Sequence, residues 1–379
     1  MMKIAWFLGP RSSSWNGVGQ HSALLIRSLK GFERVTVDEI SIPANARSIK
    51  RYLWQFLVYP FLAIRAACTS DLVVIYQEDM CHLIPFIRIA GGKACLIFHH
   101  VAVRNKVDGI VEYIKSIYLR LLQHIVSYAN LVLVPSEATA RDLVSYTNVQ
   151  ADTLRVVPCP FDNRYFDDSS GLGKYLAREF LKNKFGLDLG NKFVILNVGS
   201  DEGRKNNFAL FDGVSRLNTL REISLIRVGE PINAENRKIC KDFSRNSGVD
   251  AYFFDKVDDD DLKRFYLASD AYASPSLHEG FGRTVIEAQI AGLPVVASGL
   301  PVYRDNMGET FMSIDQPWDG GAWADALARL ISDEELTAAL VVSGQENAKR
   351  FSIEVVGEKL NQTFANFFGS ARKDARLPG

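Results

Sequence analysis

Residues Ser274–Ser298, SPSLHEGFGRTVIEAQIAGLPVVAS, carry the most informative pattern of the sequence. It begins with a polar segment that carries two glycines, continues with the apolar spacing of a helix, and ends in an apolar run typical of a buried strand. Gly280 and Gly282 let backbone N–H groups approach a ligand, and the start of a helix attracts anions. The stretch therefore predicts a loop, helix and strand with an anion site at the helix start.

Two glutamates flank that site. Glu279 precedes the helix and Glu287 lies within it. A carboxylate on each side of bound phosphates suits a nucleoside diphosphate sugar, with Glu287 accepting hydrogen bonds from a ribose and Glu279 from a sugar hydroxyl. The alternative, taking the two residues alone, is an ordinary turn with two solvated glutamates.

Short apolar runs alternate with helical patterns along the whole chain, which is typical of parallel sheets covered by helices on both faces. A segment without a strand, Phe161–Gly190, separates two such series. We therefore predict an α/β fold with two Rossmann-like, doubly wound domains that face each other across a cleft and bind ligand there. The strand candidates include KIAWFLG, DLVVIYQ, ACLIFHH and NLVLVPS in the first half, and KFVILNVGS, ISLIRVGE, AYFFDKV, AYASPS and PVVAS in the second.

Composition narrows the class of protein. The 379 residues carry 44 Lys or Arg and 44 Asp or Glu, so net charge points to no particular partner and predicts no nucleic-acid binding. Up to Cys159 the balance is 17 to 11, a net of +6, which favours an anionic surface or acceptor unless it is a chance imbalance. The five cysteines lack metal-ligand spacing, and neither a signal peptide nor a membrane-spanning run is visible, so we expect a cytoplasmic protein with reduced thiols.

The opening stretch resembles the donor-binding signature of the retaining glycosyltransferases of family 4, whose E-x7-E motif matches Glu279 and Glu287. The similarity continues through NLVLVPSEATARDL, LRVVPCPFDNRYF, FVILNVGSDEGRKNN and DDDDLKRFYLASDAYASPS, and so covers most of the chain in order. It implies the GT-B fold with an acceptor-binding domain at 1–165, a donor-binding domain at 166–350, and a C-terminal helix at 351–372 that crosses back to the first domain.

Two cations follow a strand in GSDEGRKNN. Arg204 and Lys205 would neutralise a leaving diphosphate, although the pattern alone fits an exposed basic turn equally well. Lys205 matches the family's lysine, whereas the family's arginine position holds Ser200 here. Whether Arg204 replaces that arginine stays open.

The resemblance also implies a histidine beside the transferred sugar and a glycine-rich loop before the first helix. His99 follows LIF and matches best, with His100 as the second candidate because adjacent strand residues point to opposite faces. The implied catalytic residues are His99, Lys205, Arg204 and Glu279. The implied donor contacts are Gly17, Gly19, Ser200, Val257, Gly280, Phe281, Gly282 and Glu287.

The most apolar segment is residues 47–67, within RSIKRYLWQFLVYPFLAIRAAC. Arg47, Lys50 and Arg51 precede several aromatic residues, which is consistent with a peripheral membrane contact that brings the protein to a lipid-linked acceptor. The alternative is a buried helix broken at Pro60.

The function implied is retaining hexose transfer from a nucleotide sugar to a saccharide or lipid-linked acceptor, as in surface polysaccharide synthesis, without a metal or other cofactor. The GRKNN sequence is similar to a form frequent in mannosyltransferases, which favours GDP-mannose over a UDP-sugar. Two alternatives stay open: a glycoside hydrolase that uses the paired carboxylates, and a non-catalytic sugar-binding protein.

Overall fold

A computed structural model describes residues 1–10, 17–45, 48–99, 122, 124–162, 171–217 and 221–374. The chain divides into two compact units, one formed by Met1–Phe161 together with Phe351–Gly379 and the other by Asp162–Arg350. The predicted boundary at residues 165 and 166 lies outside the described residues, as do His100 and Arg47.

The first unit contains a parallel sheet in the order β2-β1-β3-β4-β5-β6. Its central strands are continuous apolar runs, buried along their whole length, because helices cover both faces. The strands are β1 Met2–Pro10, β2 Val35–Ile42, β3 Leu72–Ile75, β4 Ala94–Ile97, β5 Leu131–Val134 and β6 Leu154–Val156. The α-helices that the structure describes before residue 162 are α1 Gly17–Lys30, α2 Ile49–Leu53, α3 Tyr59–Thr69, α4 Ile84–Ile89 and α5 Glu137–Tyr146.

The second unit contains a parallel sheet in the order β12-β11-β10-β7-β8-β9. The strands are β7 Phe193–Val198, β8 Ile223–Val228, β9 Ala251–Phe254, β10 Ala271–Ser274, β11 Val295–Ser298 and β12 Met312–Ile314. The helices are α6 Gly171–Phe185, α7 Asn207–Ser215, α8 Ala234–Ser247, α9 Asp259–Ala268, α10 Arg283–Ile290, α11 Pro301–Met307, α12 Gly320–Ser332 and α13 Glu334–Ala348. The strand order reverses between β7 and β10, which is where such sheets bind ligands, at the carboxyl ends of the strands.

Every pairing between the described strands is parallel. This confirms the predicted α/β class with two Rossmann-like domains.

The last helix, α14 Ile353–Asp374, belongs to the first unit. Val356, Leu360 and Phe364 are fully buried in that unit's core. A Cβ at Gly357 would lie 2.8 Å from the Cβ of Ser28 in α1, so the glycine permits the close approach of the two helices. Both ends of the chain therefore contribute to one hydrophobic core.

The segment predicted to contact a membrane forms α2 and α3, joined by a π turn at Trp54–Val58. The alternative of a buried helix broken at Pro60 holds only in part: a π turn interrupts the helix just before Pro60 and one side of the segment is buried, but large apolar side chains on its other side are exposed. In a π turn the N–H of residue 60 would bond to the carbonyl of Gln55, but Pro60 has no N–H. The Gln55 carbonyl instead accepts a hydrogen bond from His82 Nε2 at 3.0 Å.

Candidate functional site

The loops that follow β7 and β10 meet at the point where the strand order of the second unit reverses. The backbone N–H of Leu277, after β10, donates to the carbonyl of Arg204, after β7, at 2.8 Å. The two predicted motifs, GSDEGRKNN and SPSLHEGFG, therefore lie side by side at the carboxyl edge of the sheet.

An ion-pair cluster connects these loops. Lys205 Nζ lies 2.5 Å from Glu279 Oε1, and Arg204 Nη1 lies 3.5 Å from Glu279 Oε2. The Lys205 and Glu279 side chains are each 14% exposed, so solvent screens the pair only partly. Arg204 also pairs with Glu202 at 2.7 Å and donates to the carbonyl of His278 at 3.2 Å.

The two cations keep Glu279 ionised. Burial raises the pKa of its carboxyl, but attraction to Lys205 and then Arg204 outweighs burial and holds the pKa below its usual value. An ammonium has three N–H donors, so Lys205 has donors beyond the bond to Glu279. The same lysine can therefore hold the glutamate and an anionic ligand at once.

The helix start behind this cluster requires glycine. Gly282 precedes α10 with φ of 84°, and a Cβ there would lie 2.3 Å from Cε1 of Tyr303. Asn306 Nδ2 donates to the carbonyl of Phe281 at 2.8 Å and holds the loop Glu279–Gly282 in place. The side chain of Phe281 is buried, so the donor contact predicted for this residue would have to come from its backbone.

Glu287 lies on α10, as predicted, and its carboxylate is held from two sides. Oε2 accepts from Tyr266 Oη at 3.0 Å, and Oε1 lies 3.4 Å from Arg283 Nη2. Its side chain is 17% exposed. The oxygens are thus oriented but still within reach of a ligand.

The other donor residues predicted in this unit lie at the same edge of the sheet. Ser200 follows β7, and its hydroxyl donates to Glu202 at 3.1 Å rather than to a residue of the neighbouring loop. Val257 follows β9 and is half-buried.

A buried charge network behind the site escaped prediction. Arg227, on β8, donates to the carbonyls of Gly199 and Ser200 at 2.5 and 2.7 Å and to Asp201 at 3.0 Å. Arg237, on α8, pairs with the same aspartate and donates to the carbonyl of Gly229. The signal was visible in ISLIRVGE, where an arginine interrupts an otherwise apolar strand.

This network braces the loop that carries Lys205. The Asp201 and Arg227 side chains are 3% and 1% exposed, and burying both charges is tolerable only because each has partners. A Cβ at Gly229 would lie 1.6 Å from the carbonyl oxygen of Gly199, so the carboxyl ends of β7 and β8 approach too closely for a side chain there.

The remaining predicted residues belong to the first unit. His99 follows β4 and is buried, with Nε2 donating to the carbonyl of Tyr76 at 3.0 Å and Nδ1 3.5 Å from Nδ1 of His21. Because a carbonyl oxygen only accepts, the Tyr76 contact places a proton on Nε2 of His99. A sugar contact through Nδ1 would therefore compete with His21.

The predicted loop around Gly17 and Gly19 differs in the structure. Both glycines lie in the first turn of α1 rather than before it, so the helix starts earlier than predicted. Ser22 in the next turn is buried and accepts a hydrogen bond from Trp6 Nε1 at 3.1 Å, which anchors the start of α1 to β1.

Within the described residues, His, Cys, Asp and Glu side chains form no group of three that could hold a metal ion. Nor does any helix in that part of the chain have the length and apolarity to cross a membrane.

Comparison with known proteins finds a matching family and several similar proteins. Residues 178–347, almost all of the second unit, match the family described as glycosyl transferases group 1. The D-inositol 3-phosphate glycosyltransferase of Corynebacterium jeikeium is 27% identical over 266 residues, which are 68% of this chain and 62% of that protein. The matched part thus spans about three-fifths of the length of this relative.

Two solved structures show the fold over nearly the whole chain. Anabaena Alr3699/HepE in complex with UDP and glucose superposes with a TM-score of 0.76 at 18% identity, covering 97% of this chain and 100% of that one. The sucrose-phosphate synthase of Thermosynechococcus elongatus gives 0.77 at 18% identity, covering 98% and 100%. The fold is that of the GT-B glycosyltransferases, and the family match supports a group 1 glycosyltransferase.

Proposed function

We propose that this protein is a retaining glycosyltransferase that moves a hexose from a nucleotide sugar to a saccharide or lipid-linked acceptor. The observation that carries the proposal is the ion-pair cluster of Lys205, Arg204 and Glu279 beside the start of α10, at the carboxyl edge of β7 and β10. This edge lies within the part of the chain that matches the glycosyl transferase family. A cation pair next to a helix start is an arrangement suited to a diphosphate.

The chemistry follows from where charge develops. The bond from the anomeric carbon to the phosphate oxygen breaks, and negative charge grows on the diphosphate, where Lys205 and Arg204 stabilise it. The acceptor oxygen forms its bond to the same face of the sugar, and its proton passes to the leaving phosphate oxygen. No carboxylate nucleophile is needed, so Glu279 orients the sugar and Glu287 the ribose.

The donor is a nucleoside diphosphate hexose. The GRKNN sequence favours GDP-mannose, whereas the neighbour solved with UDP and glucose makes UDP-glucose the first rival. We further propose that transfer needs no metal and takes place at the cytoplasmic side of a membrane, where a lipid-linked acceptor is reached.

Three successive measurements test the proposal. Thermal shift with GDP, UDP and ADP identifies the base, and incubation with the matching nucleotide sugars identifies the hexose by nucleotide release. Proton NMR of the product then reports whether the anomeric configuration is retained. If no nucleotide raised the melting temperature while free sugars did, the protein would be a sugar-binding protein or hydrolase instead. An inverted product would contradict the retaining mechanism alone.

A further inference from the structure

The helical segment from α2 through α3 exposes an apolar face. The face consists of seven large side chains spaced by one to four residues along the segment: Ile49, Tyr52, Leu53, Phe56, Leu57, Phe61 and Ile64. Ile49 is 80% exposed, Phe61 74% and Leu57 60%. At helical rise the face is about 20 Å long. Exposed clusters of large apolar side chains commonly mark an interaction site.

The opposite side of the same segment packs against the rest of the first unit. Gln55, Tyr59, Ala63 and Ala66 are buried there. Tyr59 Oη lies 2.7 and 2.9 Å from the carbonyl oxygens of Leu8 and Ile40, which share its single proton. Trp54 and Leu62 are also partly buried against the core, but the other large apolar side chains of the segment point outward, where an ordinary surface helix carries polar residues. Packing within the first unit does not explain this choice of residues.

The charges on the segment have one sign. Residues 48–70 contain no Asp or Glu, and Lys50 and Arg65 are exposed near the two ends of the apolar face. Arg51 instead reaches inward and pairs with Asp79 at 2.9 Å. An apolar strip whose own segment carries only cations matches the acyl boundary and anionic headgroups of a lipid bilayer.

We infer that the apolar face lies in the surface of a bilayer that contains anionic lipids. Leucine, isoleucine and aromatic side chains enter the acyl boundary, while Lys50 and Arg65 stay at the level of the lipid phosphates. The inference deepens the proposed function, because a protein held at the bilayer meets a lipid-linked acceptor there.

Vesicle co-sedimentation tests the inference. The full chain is mixed with vesicles of phosphatidylcholine alone or of phosphatidylcholine with phosphatidylglycerol. Leu57→Ser with Phe61→Ser should lower partitioning into the mixed vesicles at least about tenfold, because two insertions are lost. Lys50→Glu with Arg65→Glu should remove the preference for phosphatidylglycerol. The matched control, Ile232→Ser with Val342→Ser, changes two apolar residues that are 62% and 69% exposed in the second unit and should bind like wild type.

Three results would overturn the inference. The first is that Leu57→Ser with Phe61→Ser binds as wild type does, and the second is that the control loses binding equally. The third is that light scattering reveals a dimer that Leu57→Ser with Phe61→Ser dissociates, which would make the apolar face a contact between two copies. Melting temperatures of all variants establish that they are folded. Because the assay contains no sugar donor, its failure is distinguishable from failure of the proposed transfer.

Discussion

Lys205 is the residue on which the proposed chemistry depends most. Its ammonium contacts Glu279 at 2.5 Å across the two loops, and Arg204 lies on the other side of the same carboxylate. In this position Lys205 keeps Glu279 ionised and also adds positive charge where a diphosphate would leave.

Lys205→Ala should therefore lower turnover more than donor affinity. Charge on the leaving group grows in the transition state, and removal of one such partner costs about 3 kcal/mol, or about a hundredfold in rate. Steady-state kinetics with the donor found by the nucleotide-sugar panel provide the measurement.

Lys192→Ala is the matched control for this substitution. Lys192 also pairs with a carboxylate, Asp250 at 2.9 Å, but it precedes β7 at the opposite edge of the sheet. It should retain the wild-type turnover. A Lys205→Ala enzyme within about twofold of wild type would assign the leaving-group role to Arg204 instead.

Glu287→Ala should weaken nucleotide binding about ten- to a hundredfold, since a hydrogen bond between a ribose and a carboxylate contributes about 1.5–3 kcal/mol. Tyr266 and Arg283 hold the carboxylate in one orientation, so little freedom is lost on binding. Calorimetric titration of the nucleotide measures the effect, with the exposed Glu346→Ala in α13 as control. Wild-type affinity in folded Glu287→Ala protein would remove this residue from the donor site.

Among the elements, the π turn before Pro60 links the apolar face to a half-buried histidine, His82. Burial lowers the pKa of His82 below its usual value, and hydrogen bonds to the Gln55 and Asp79 backbone offset this only in part. The neutral ring is thus the form that supports the turn, with its Nε2 proton on the Gln55 carbonyl.

This predicts a stability that depends on pH. Because the folded pKa is depressed, the unfolded chain binds a proton more readily than the folded one. The contribution of His82 is complete above the ordinary histidine pKa of about 6.5 and is lost as pH falls through the lower folded value. Melting temperatures across this range should therefore fall less steeply in His82→Gln than in wild type.

The exposed His124→Gln is the control and should keep the wild-type slope. Identical slopes in wild type and His82→Gln would mean that His82 does not supply the acid sensitivity of the turn.

At the scale of the whole molecule, the core of the first unit needs the end of the chain. Leu360 on α14 is fully buried there, so Leu360→Ala should cost about 2–5 kcal/mol of unfolding free energy through lost burial and a cavity. Val355→Ala on the same helix, where the valine is 50% exposed, should cost within about 0.5 kcal/mol. Urea unfolding measures both, and equal losses would show that α14 is not part of the core.

The proposed metal-independent transfer is also tested on the whole molecule. The acidic run Asp258–Asp261, the sequence feature most like a metal ligand, is engaged in structure: Asp258 accepts from the N–H of Asp261 at 2.7 Å and caps α9, and Asp261 pairs with Lys184 at 2.5 Å. Since Lys205 and Arg204 supply the positive charge, a chelator should leave turnover within about twofold. Loss of activity in chelator with recovery on adding manganese would contradict this.

The sequence predicted most of the fold because its signals are local. Continuous apolar runs such as LVVI and LVLV can be buried only in sheets covered on both faces, and the structure has them there. The loop and helix of residues 279–290 follow from Gly282 and from helical periodicity, which depend on neighbours along the chain. The start of α1 was predicted too late because glycine is tolerated both in a loop and at the start of a helix, so Gly17 and Gly19 do not mark the boundary.

The sequence alone thus predicted the described strands except β2, β6 and β12, the two Rossmann-like units, and the loops that carry Lys205 and Glu279. Only the tertiary structure decided that these two residues, separated by 74 positions, form an ion pair, that Arg227 and Arg237 brace the loop through Asp201, and that Phe61 faces outward while Tyr59 faces inward. The physical reason is that backbone conformation responds to nearby residues, whereas burial and charge pairing depend on chain segments that only folding brings together.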